Sequence, residues 1–246
     1  MGSVAGVGGG VIIKPTLDVL SSYDVSSISA LSSATVFAMA VMSLIKTFYR
    51  KVKIEYTISL FLALGSVIGG ILGKTTFNQI VSSASSKDIV TVIQAGTLAV
   101  LLIFVLLFVK NKQKMKTFKI RNKATILLVG FLLGTFSSFL GIGGGPFNVA
   151  ILMWFFSLNT KDSAINSIFI IFFSQLSTLV TISFSPGFGQ LNLSMMTYMI
   201  VGGLLGGLLG SALSKKIDDQ QVEKIFNLTL VLIIGINLYT IFSKVS

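Results

Sequence analysis

The sequence contains no cysteine and no histidine, and only 11% of its 246 residues are charged. Without cysteine the chain offers no disulfide and no thiolate nucleophile. Without histidine it lacks the commonest acid–base side chain, and the two absences together remove the usual ligands of zinc and haem. We therefore predict no metal site, no cofactor and no catalytic residues, so that an enzyme is a weak interpretation.

Acidic residues are also scarce. All eight fall in loops or at the ends of predicted segments, and they are Asp18, Asp24, Glu55, Asp88, Asp162, Asp218, Asp219 and Glu223. A proton relay through a buried carboxylate is therefore not predicted. Neither glycine cluster continues into Gly-Lys-Ser/Thr, so the sequence does not predict an ATP-binding loop. The first residues do not predict a cleavable signal peptide.

Apolar residues dominate what is present. They make up 53% of the chain, and the mean hydropathy is +0.90. Runs of about 20 apolar residues, the length of a bilayer crossing, recur along the sequence. We predict an all-α, polytopic transmembrane bundle. Its long segments are 26–48, 56–73, 89–109, 163–184, 193–214 and 222–243, with shorter apolar stretches at 11–20, 124–140 and 146–157 and a polar loop at 74–88.

The net charge of +11 does not indicate nucleic acid, because the basic residues lie in short loops between apolar segments. That distribution follows the positive-inside rule and predicts a multi-pass protein of the cell (inner) membrane. The main cluster reads as a cytoplasmic loop, with an anionic-lipid site as the alternative. It comprises Lys110, Lys112, Lys114, Lys116, Lys119, Arg121 and Lys123.

Two glycine-rich breaks interrupt the apolar sequence, at Gly6–Gly10 and at Gly141–Gly145. A broken helix at membrane depth is tolerated only where it is buried in protein or lines a polar cavity. Each break is therefore a candidate binding site. The alternative is that the glycines only let helices pack closely, as the four-residue spacing of Gly65, Gly69 and Gly73 suggests.

The two halves of the sequence repeat each other at an offset of about 135 residues. The glycine breaks match, residues 31–33 match 165–167, and Gly65, Gly69, Gly70 and Gly73 match Gly202, Gly206, Gly207 and Gly210. We predict a first repeat at 1–110, a basic linker at 111–123 and a second repeat at 124–246. Such internal repeats are typical of secondary transporters.

Loop charges indicate that the repeats are inverted. The 46–53 loop is basic and its partner at 185–192 is uncharged, whereas the 215–224 loop opens with two lysines and its partner at 74–88 is weakly basic. Each repeat would contain a helical hairpin of two short arms, with the glycine break at its tip, and three further helices, which gives about nine segments in all. The alternative is four membrane crossings per half, with the two halves in parallel orientation. The apolar arm before the second break has no counterpart before the first, and we expect a start further upstream.

The two breaks predict an anion site near the membrane midplane. Helices opening at Gly10 and Gly145 would direct N–H groups and partial positive charge toward it. Candidate substrate-binding residues are Gly8, Gly9, Gly10, Gly143, Gly144, Gly145, Asn148, Asn166, Ser167, Ser32, Ser33, Gln175 and Lys14. The polar side chains could instead bond between helices, and Lys14 could snorkel to the interface.

The paired Gly-x-Gly-Gly-Gly motifs and the stretch Asn166–Ser174 resemble the TauE/SafE sulfite exporter family over nearly the whole chain. The resemblance implies a membrane transporter of a small anion, such as sulfite or an organosulfonate. We predict a secondary transporter that works by alternating access in the lipid bilayer. A passive channel and a scaffold without transport are the alternatives, nucleic acid is not a predicted partner, and a homo-oligomer is left open.

Overall fold

A computed structural model of the chain describes residues 2–20, 23–49, 55–83, 87–184, 189 and 191–245. Over these residues the protein is an all-α bundle, as predicted. The α-helices are α1 Gly10–Leu20, α2 Val25–Tyr49, α3 Tyr56–Ser83, α4 Lys87–Asn111, α5 Lys123–Leu140, α6 Gly145–Phe156, α7 Thr160–Phe184, α8 Met196–Lys216 and α9 Asp219–Val245, with a 3-10 helix at Lys112–Lys114.

Seven of the described helices, α2 to α5 and α7 to α9, are long and apolar enough to cross a membrane. The 11-residue α1 and the 12-residue α6 are too short. At about 1.5 Å per residue each is roughly 16–18 Å long, against a hydrocarbon core of about 30 Å. Both short helices begin at a glycine break.

The predicted end of the third segment is wrong. The polar stretch from residue 74 was predicted as a loop, but α3 continues helically to Ser83. The reason is tertiary, because Lys74 and Phe77 are only 2% and 1% exposed and anchor this extension in the bundle. The predicted basic loop with Arg50, Lys51 and Lys53 and the predicted turn at Pro186 lie outside the described residues.

Helices α3 and α5 touch through their backbones. A methyl group built on Gly65 or Gly69 of α3 would overlap a carbonyl oxygen of α5, and one on Gly134 of α5 would overlap the backbone of Ser66. Such close approach is what small residues at four-residue spacing permit. The prediction that the glycines of α3 allow a neighbouring helix to pack closely is therefore confirmed.

The glycines of α8 that match those of α3 are packed on one side only. Gly203 and Gly207 pack on the backbone of α2, but a methyl group on Gly202 or Gly206 would meet nothing within 4 Å. These two glycines line a 310 Å³ cavity together with Gly9. One face of α8 is thus open where the equivalent face of α3 is covered by α5.

Helix α2 lies in the interior of the bundle. Of its most apolar stretch of 18 residues 78% is buried in the bundle, against 22% for the most apolar stretch of α8. It packs on α1, α7 and α8, while α7 packs on α2, α3 and α6. We call α2 and α7 the central helices. They match each other in the two halves of the sequence, and the two glycine breaks lie between them.

The segment before α5 meets the end of α6. Backbone N–H groups of Phe118 and Ile120 donate to the carbonyl oxygens of Trp154 and Phe155, at 2.8 and 3.1 Å. The start of α5 and the end of α6 therefore lie at the same end of the bundle. The glycine break between these two helices lies at their other end.

Candidate functional site

The first glycine break is a tight turn. Gly6 and Gly8 have φ angles of 65° and 72°, which side chains disfavour. The carbonyl oxygen of Gly2 accepts hydrogen bonds from the N–H groups of Val7 and Gly8 at 2.9 and 3.3 Å. Helix α1 then begins at Gly10, as predicted.

The second break has closely similar geometry. Gly141, Gly143 and Gly144 have φ angles of 68°, 77° and 70°. The N–H of Ile142 donates to the carbonyl oxygen of Ser137 at 3.3 Å, the counterpart of the bond from Val7 to Gly2. Helix α6 begins at Gly145, as predicted, and no side chain caps its N-terminus.

The two turns contact each other reciprocally. A methyl group on Gly145 would overlap the carbonyl oxygen of Val7, and one on Gly10 would lie 2.8 Å from the carbonyl oxygen of Ile142. Gly145 and Ile142 stand 135 positions after Gly10 and Val7. In each turn, therefore, the glycine that begins the following helix contacts a carbonyl oxygen at the equivalent position of the other turn.

A side-chain contact beside the turns is also repeated. The hydroxyls of Ser3 and Ser43 are 2.8 Å apart, and those of Ser138 and Thr178 are 3.0 Å apart. The second pair again stands 135 positions after the first. The sequence repeat is thus matched by repeated contacts in space.

Ser167 bridges the two turns. Its hydroxyl donates to the carbonyl oxygen of Gly6 at 2.7 Å and lies 3.4 Å from that of Gly145. At the 135-residue offset of the glycine breaks, one position away from the match of residues 31–33 with 165–167, Ser167 corresponds to Ser32, whose Oγ lies 2.9 Å from a methyl group built on Gly10. The predicted site residues Ser32 and Ser167 therefore occupy corresponding places beside the turns.

The other predicted glycines lie close by. A methyl group on Gly8 would contact Val36 and Ile171, and one on Gly143 would lie 3.1 Å from Nε2 of Gln175. One on Gly144 would overlap the hydroxyl of Ser137. Gly9 packs toward Ile13 at the edge of the cavity beside α8.

Several buried polar atoms have no hydrogen-bond partner among the described residues, and two of them, on Ser32 and Asn148, lie beside glycines of the turns. Within the two central helices and α6 they include Oγ of Ser32, Ser33 and Ser174 and Oδ1 of Asn148. Each of these side chains is at most 2% exposed. Buried polar groups are normally bonded, so the unpartnered atoms of Ser32 and Asn148 beside the turns mark a candidate binding site.

Asn166 is bonded to the start of α3 instead. Its Oδ1 accepts from the backbone N–H of Glu55 at 3.0 Å and the hydroxyl of Ser59 at 2.6 Å, and its Nδ2 donates to the carbonyl of Asp162 at 2.8 Å. This contact joins α7 to α3. It explains the burial of Asn166 without a ligand.

We expect Asn166→Ala to lower stability and to leave substrate affinity unchanged. Three hydrogen bonds, one buried and two partly buried, at about 1 kcal/mol each predict a loss of about 3 kcal/mol and a fall in Tm of roughly 6–12 °C. Thermal unfolding in detergent measures this, with Ser59→Ala as a milder control that removes one bond. An unchanged Tm with weakened substrate binding would instead make Asn166 a ligand.

Lys14 is buried rather than snorkelling. It is 3% exposed, and its Nζ lies 3.0 Å from Oδ2 of Asp18 in an i, i+4 ion pair. The expectation that no carboxylate is buried is therefore wrong for Asp18, which is 9% exposed. The pair is possible because each charge supplies the partner that burial requires.

Two polar cavities flank the central helices. The first, of 480 Å³, is lined by Ser26, Lys74, Thr75, Asn78, Gln79, Val81, Ser82, Thr181, Ile182 and Leu191. The second, of 410 Å³, is lined by Ser3, Val4, Thr47, Lys161, Ala164, Ile165, Ile168, Ser211, Ser214 and Lys215. Both linings contain lysine, and neither contains Asp or Glu among the described residues.

The two cavities lie at opposite ends of α2 and α7. Helix α2 contributes Ser26, near its start, to the first cavity and Thr47, near its end, to the second. Helix α7 does the reverse, with Ile182 in the first cavity and Lys161 in the second. The equivalent helices α2 and α7 therefore run in opposite directions between the cavities.

Lys74 is the main site residue that the sequence analysis missed. It was assigned to a polar loop, whereas it lies inside α3 and lines the first cavity. The repeat offered a signal, because the position that matches Lys74 is Ser211, close to the end of a segment predicted as helix. Extending the third segment to the length of its partner would have included Lys74.

Comparison with known proteins identifies the family. Residues 1–238 match the family described as sulfite exporter TauE/SafE. The chain belongs to the TauE/SafE family. Among its relatives is the probable membrane transporter protein YunE of Bacillus subtilis (strain 168), 25% identical over 259 residues, with 95% of this chain and 90% of the relative covered. No solved structure matches the chain.

Family membership and the seven apolar helices agree. The protein is a multi-pass membrane transporter of the TauE/SafE family, and such a transporter resides in the cell membrane. The two reciprocal glycine turns fall within the matched range. They lie between the polar cavities, where a translocation site of such a protein would be sought.

Proposed function

We propose that this TauE/SafE protein is a secondary transporter of a small anion, with sulfite or an organosulfur anion as substrate, and that it is not an enzyme. The anion binds between the two glycine turns and is moved by alternating access. The observation that carries this proposal is the contact between the turns, at the centre of helices that connect two polar cavities at opposite ends.

Charge supports an anionic substrate. Lys74 lines one cavity, and Lys161 and Lys215 line the other. The described lining residues of both cavities include lysine and no Asp or Glu, and such a lining attracts anions and repels cations. At the turns, the N-termini of α1 and α6 add partial positive charge, and the hydroxyl of Ser32 is unpartnered.

The geometry supports an inverted repeat. The equivalent helices α2 and α7 are antiparallel, and the contacts of Ser3, Val7 and Gly10 recur 135 positions later. In an inverted repeat the two halves exchange conformations when access changes sides. The turn contact separates the two cavities, which favours a carrier over a channel with a continuous pore.

Counterflow in proteoliposomes tests the proposed function. Vesicles loaded with unlabelled sulfite should take up labelled sulfite transiently and with saturation, because a carrier exchanges substrate across one site. Empty liposomes correct for passive leak, and excess methanesulfonate or sulfate tests the breadth of the anion class. Flux without saturation or counterflow would favour a channel, and uptake equal to empty liposomes would contradict transport of sulfite.

A further inference from the structure

Lys74 is a buried lysine with no counterpart in the second half of the sequence. Its side chain is 2% exposed, and the matching residue of the second repeat is Ser211. A buried ammonium is unfavourable unless its charge and its three N–H donors are satisfied. A lysine at this position therefore needs an explanation beyond packing.

The contacts of Lys74 are neutral. Its Nζ donates to the hydroxyl of Ser29 at 3.0 Å and lies 4.5 Å from the ring centroid of Phe77. Among the described residues no carboxylate forms an ion pair with it. Asp24 caps the start of α2, where its carboxylate accepts from the backbone N–H and the hydroxyl of Ser27. The ammonium thus retains capacity to bind an anion.

Ser29 connects Lys74 to the second glycine turn. A methyl group built on Gly141 would lie 3.2 Å from Oγ of Ser29 and 3.3 Å from Cε of Lys14. Lys14 is already paired with Asp18 at 3.0 Å. Of the two lysines beside this turn, Lys74 is therefore the one whose ammonium has no carboxylate in contact.

The first cavity reaches Lys74, which is one of its lining residues. Besides this lysine its lining carries the polar side chains of Ser26, Thr75, Asn78 and Thr181. Its volume of 480 Å³ falls in the usual range of small-ligand sites, about 300–1,000 Å³. Among the described residues of this lining, one lysine, several neutral polar groups and the absence of Asp and Glu suit a small oxyanion.

We propose that Lys74 and Ser29 form an oxyanion-binding site at the inner end of the first cavity, one step before the glycine turns. The inference rests on the proposed function, because the bound anion is the transported one. The site belongs to one repeat only, since Ser211 replaces Lys74 in the other. It makes access from the first cavity selective for anions.

The test compares Lys74→Met and Lys74→Arg with wild type, and Lys119→Met on the exposed linker is the matched control. Two readouts are measured on the full chain, namely Tm in detergent with and without sulfite, sulfate or phosphate, and the KM of sulfite uptake. We expect a saturating oxyanion to raise the wild-type Tm by about 5 °C. Lys74→Met should lose this shift, and its KM should rise about 10-fold or more, because a charge-assisted hydrogen bond is removed.

The unliganded Tm separates binding from structure. If Lys74 serves the anion, Lys74→Met should have an unchanged or higher Tm without ligand, because an uncompensated buried charge is removed. Lys74→Arg should retain part of the oxyanion shift, and Lys119→Met all of it. A lower unliganded Tm with an unchanged KM would overturn the proposal and make Lys74 a structural link between α3 and α2.

The two proposals fail differently. Absence of sulfite uptake by wild type, with a Lys74-dependent Tm shift intact, would contradict transport of sulfite but not the oxyanion site. Normal uptake with the same KM in wild type and Lys74→Met would contradict the site but not the transport function. If none of the three oxyanions shifts the wild-type Tm, the site is likewise contradicted.

Discussion

Gly145→Ala is expected to reduce anion uptake at least 10-fold and to lower stability. Gly145 begins α6 without a positive φ, so alanine fits its backbone conformation. The added methyl group, however, would overlap the carbonyl oxygen of Val7 in the first turn. Backbone gives way less readily than a side chain, so we expect a cost of about 2–3 kcal/mol and a fall in Tm of roughly 5–10 °C.

Uptake should fall more than stability alone explains, because the substitution separates the two turns that form the proposed site. We expect at least a 10-fold loss in proteoliposomes that contain equal amounts of folded protein, since about 1.4 kcal/mol of lost interaction is already tenfold. Gly235→Ala in α9 is the control, because its methyl group would meet nothing within 4 Å. Normal uptake by Gly145→Ala would contradict a site at the turns.

Gly69→Leu and Gly206→Leu form a matched pair at equivalent positions of the repeat. At Gly69 the new side chain would collide with the carbonyl oxygen of Phe131 and force α3 away from α5. At Gly206 it would enter open space. We expect Gly69→Leu to cost at least about 3 kcal/mol, the range of severe overpacking, and Gly206→Leu to cost less than about 0.5 kcal/mol.

Two measurements compare the stability of these variants. They are the yield of monodisperse protein after detergent extraction and the Tm of that protein. At about 2–4 °C per kcal/mol, Gly69→Leu should lower Tm by roughly 6–12 °C, if folded protein is recovered at all. Gly69→Ala, with its smaller side chain, keeps the comparison measurable. Equal damage from Gly206→Leu would contradict the open face of α8 and would indicate that a helix covers that face in the membrane.

Most helices could be predicted because hydropathy and length decide whether a segment crosses a membrane. The predicted segments 26–48 and 89–109 differ from α2 and α4 by one or two residues at each end. The end of α3 could not be predicted in this way. Its last turns are polar, and they are helical because Lys74 and Phe77 find buried places against other helices.

The glycine turns were predicted for a local reason, but the sequence did not show which of the candidate polar residues contact them. Runs of glycine in apolar sequence break a helix wherever they occur, so the starts of α1 and α6 followed from composition. Adjacent residues on α7 show the limit of such reasoning. Ser167 bridges the turns while Asn166 bonds to α3, and the sequence places both on the same candidate surface.

The sequence by itself determined that this protein is a helical membrane bundle with two glycine breaks, one in each of two similar halves of the sequence. Hydropathy, glycine content and internal similarity are properties of the chain, and they need no knowledge of which helices meet. Only the tertiary structure decided that Gly145 meets Val7, that α5 covers the glycines of α3 while α8 stays open, and that Lys74 is buried beside a cavity. These are contacts between residues far apart in sequence, and the packing of helices against one another sets them.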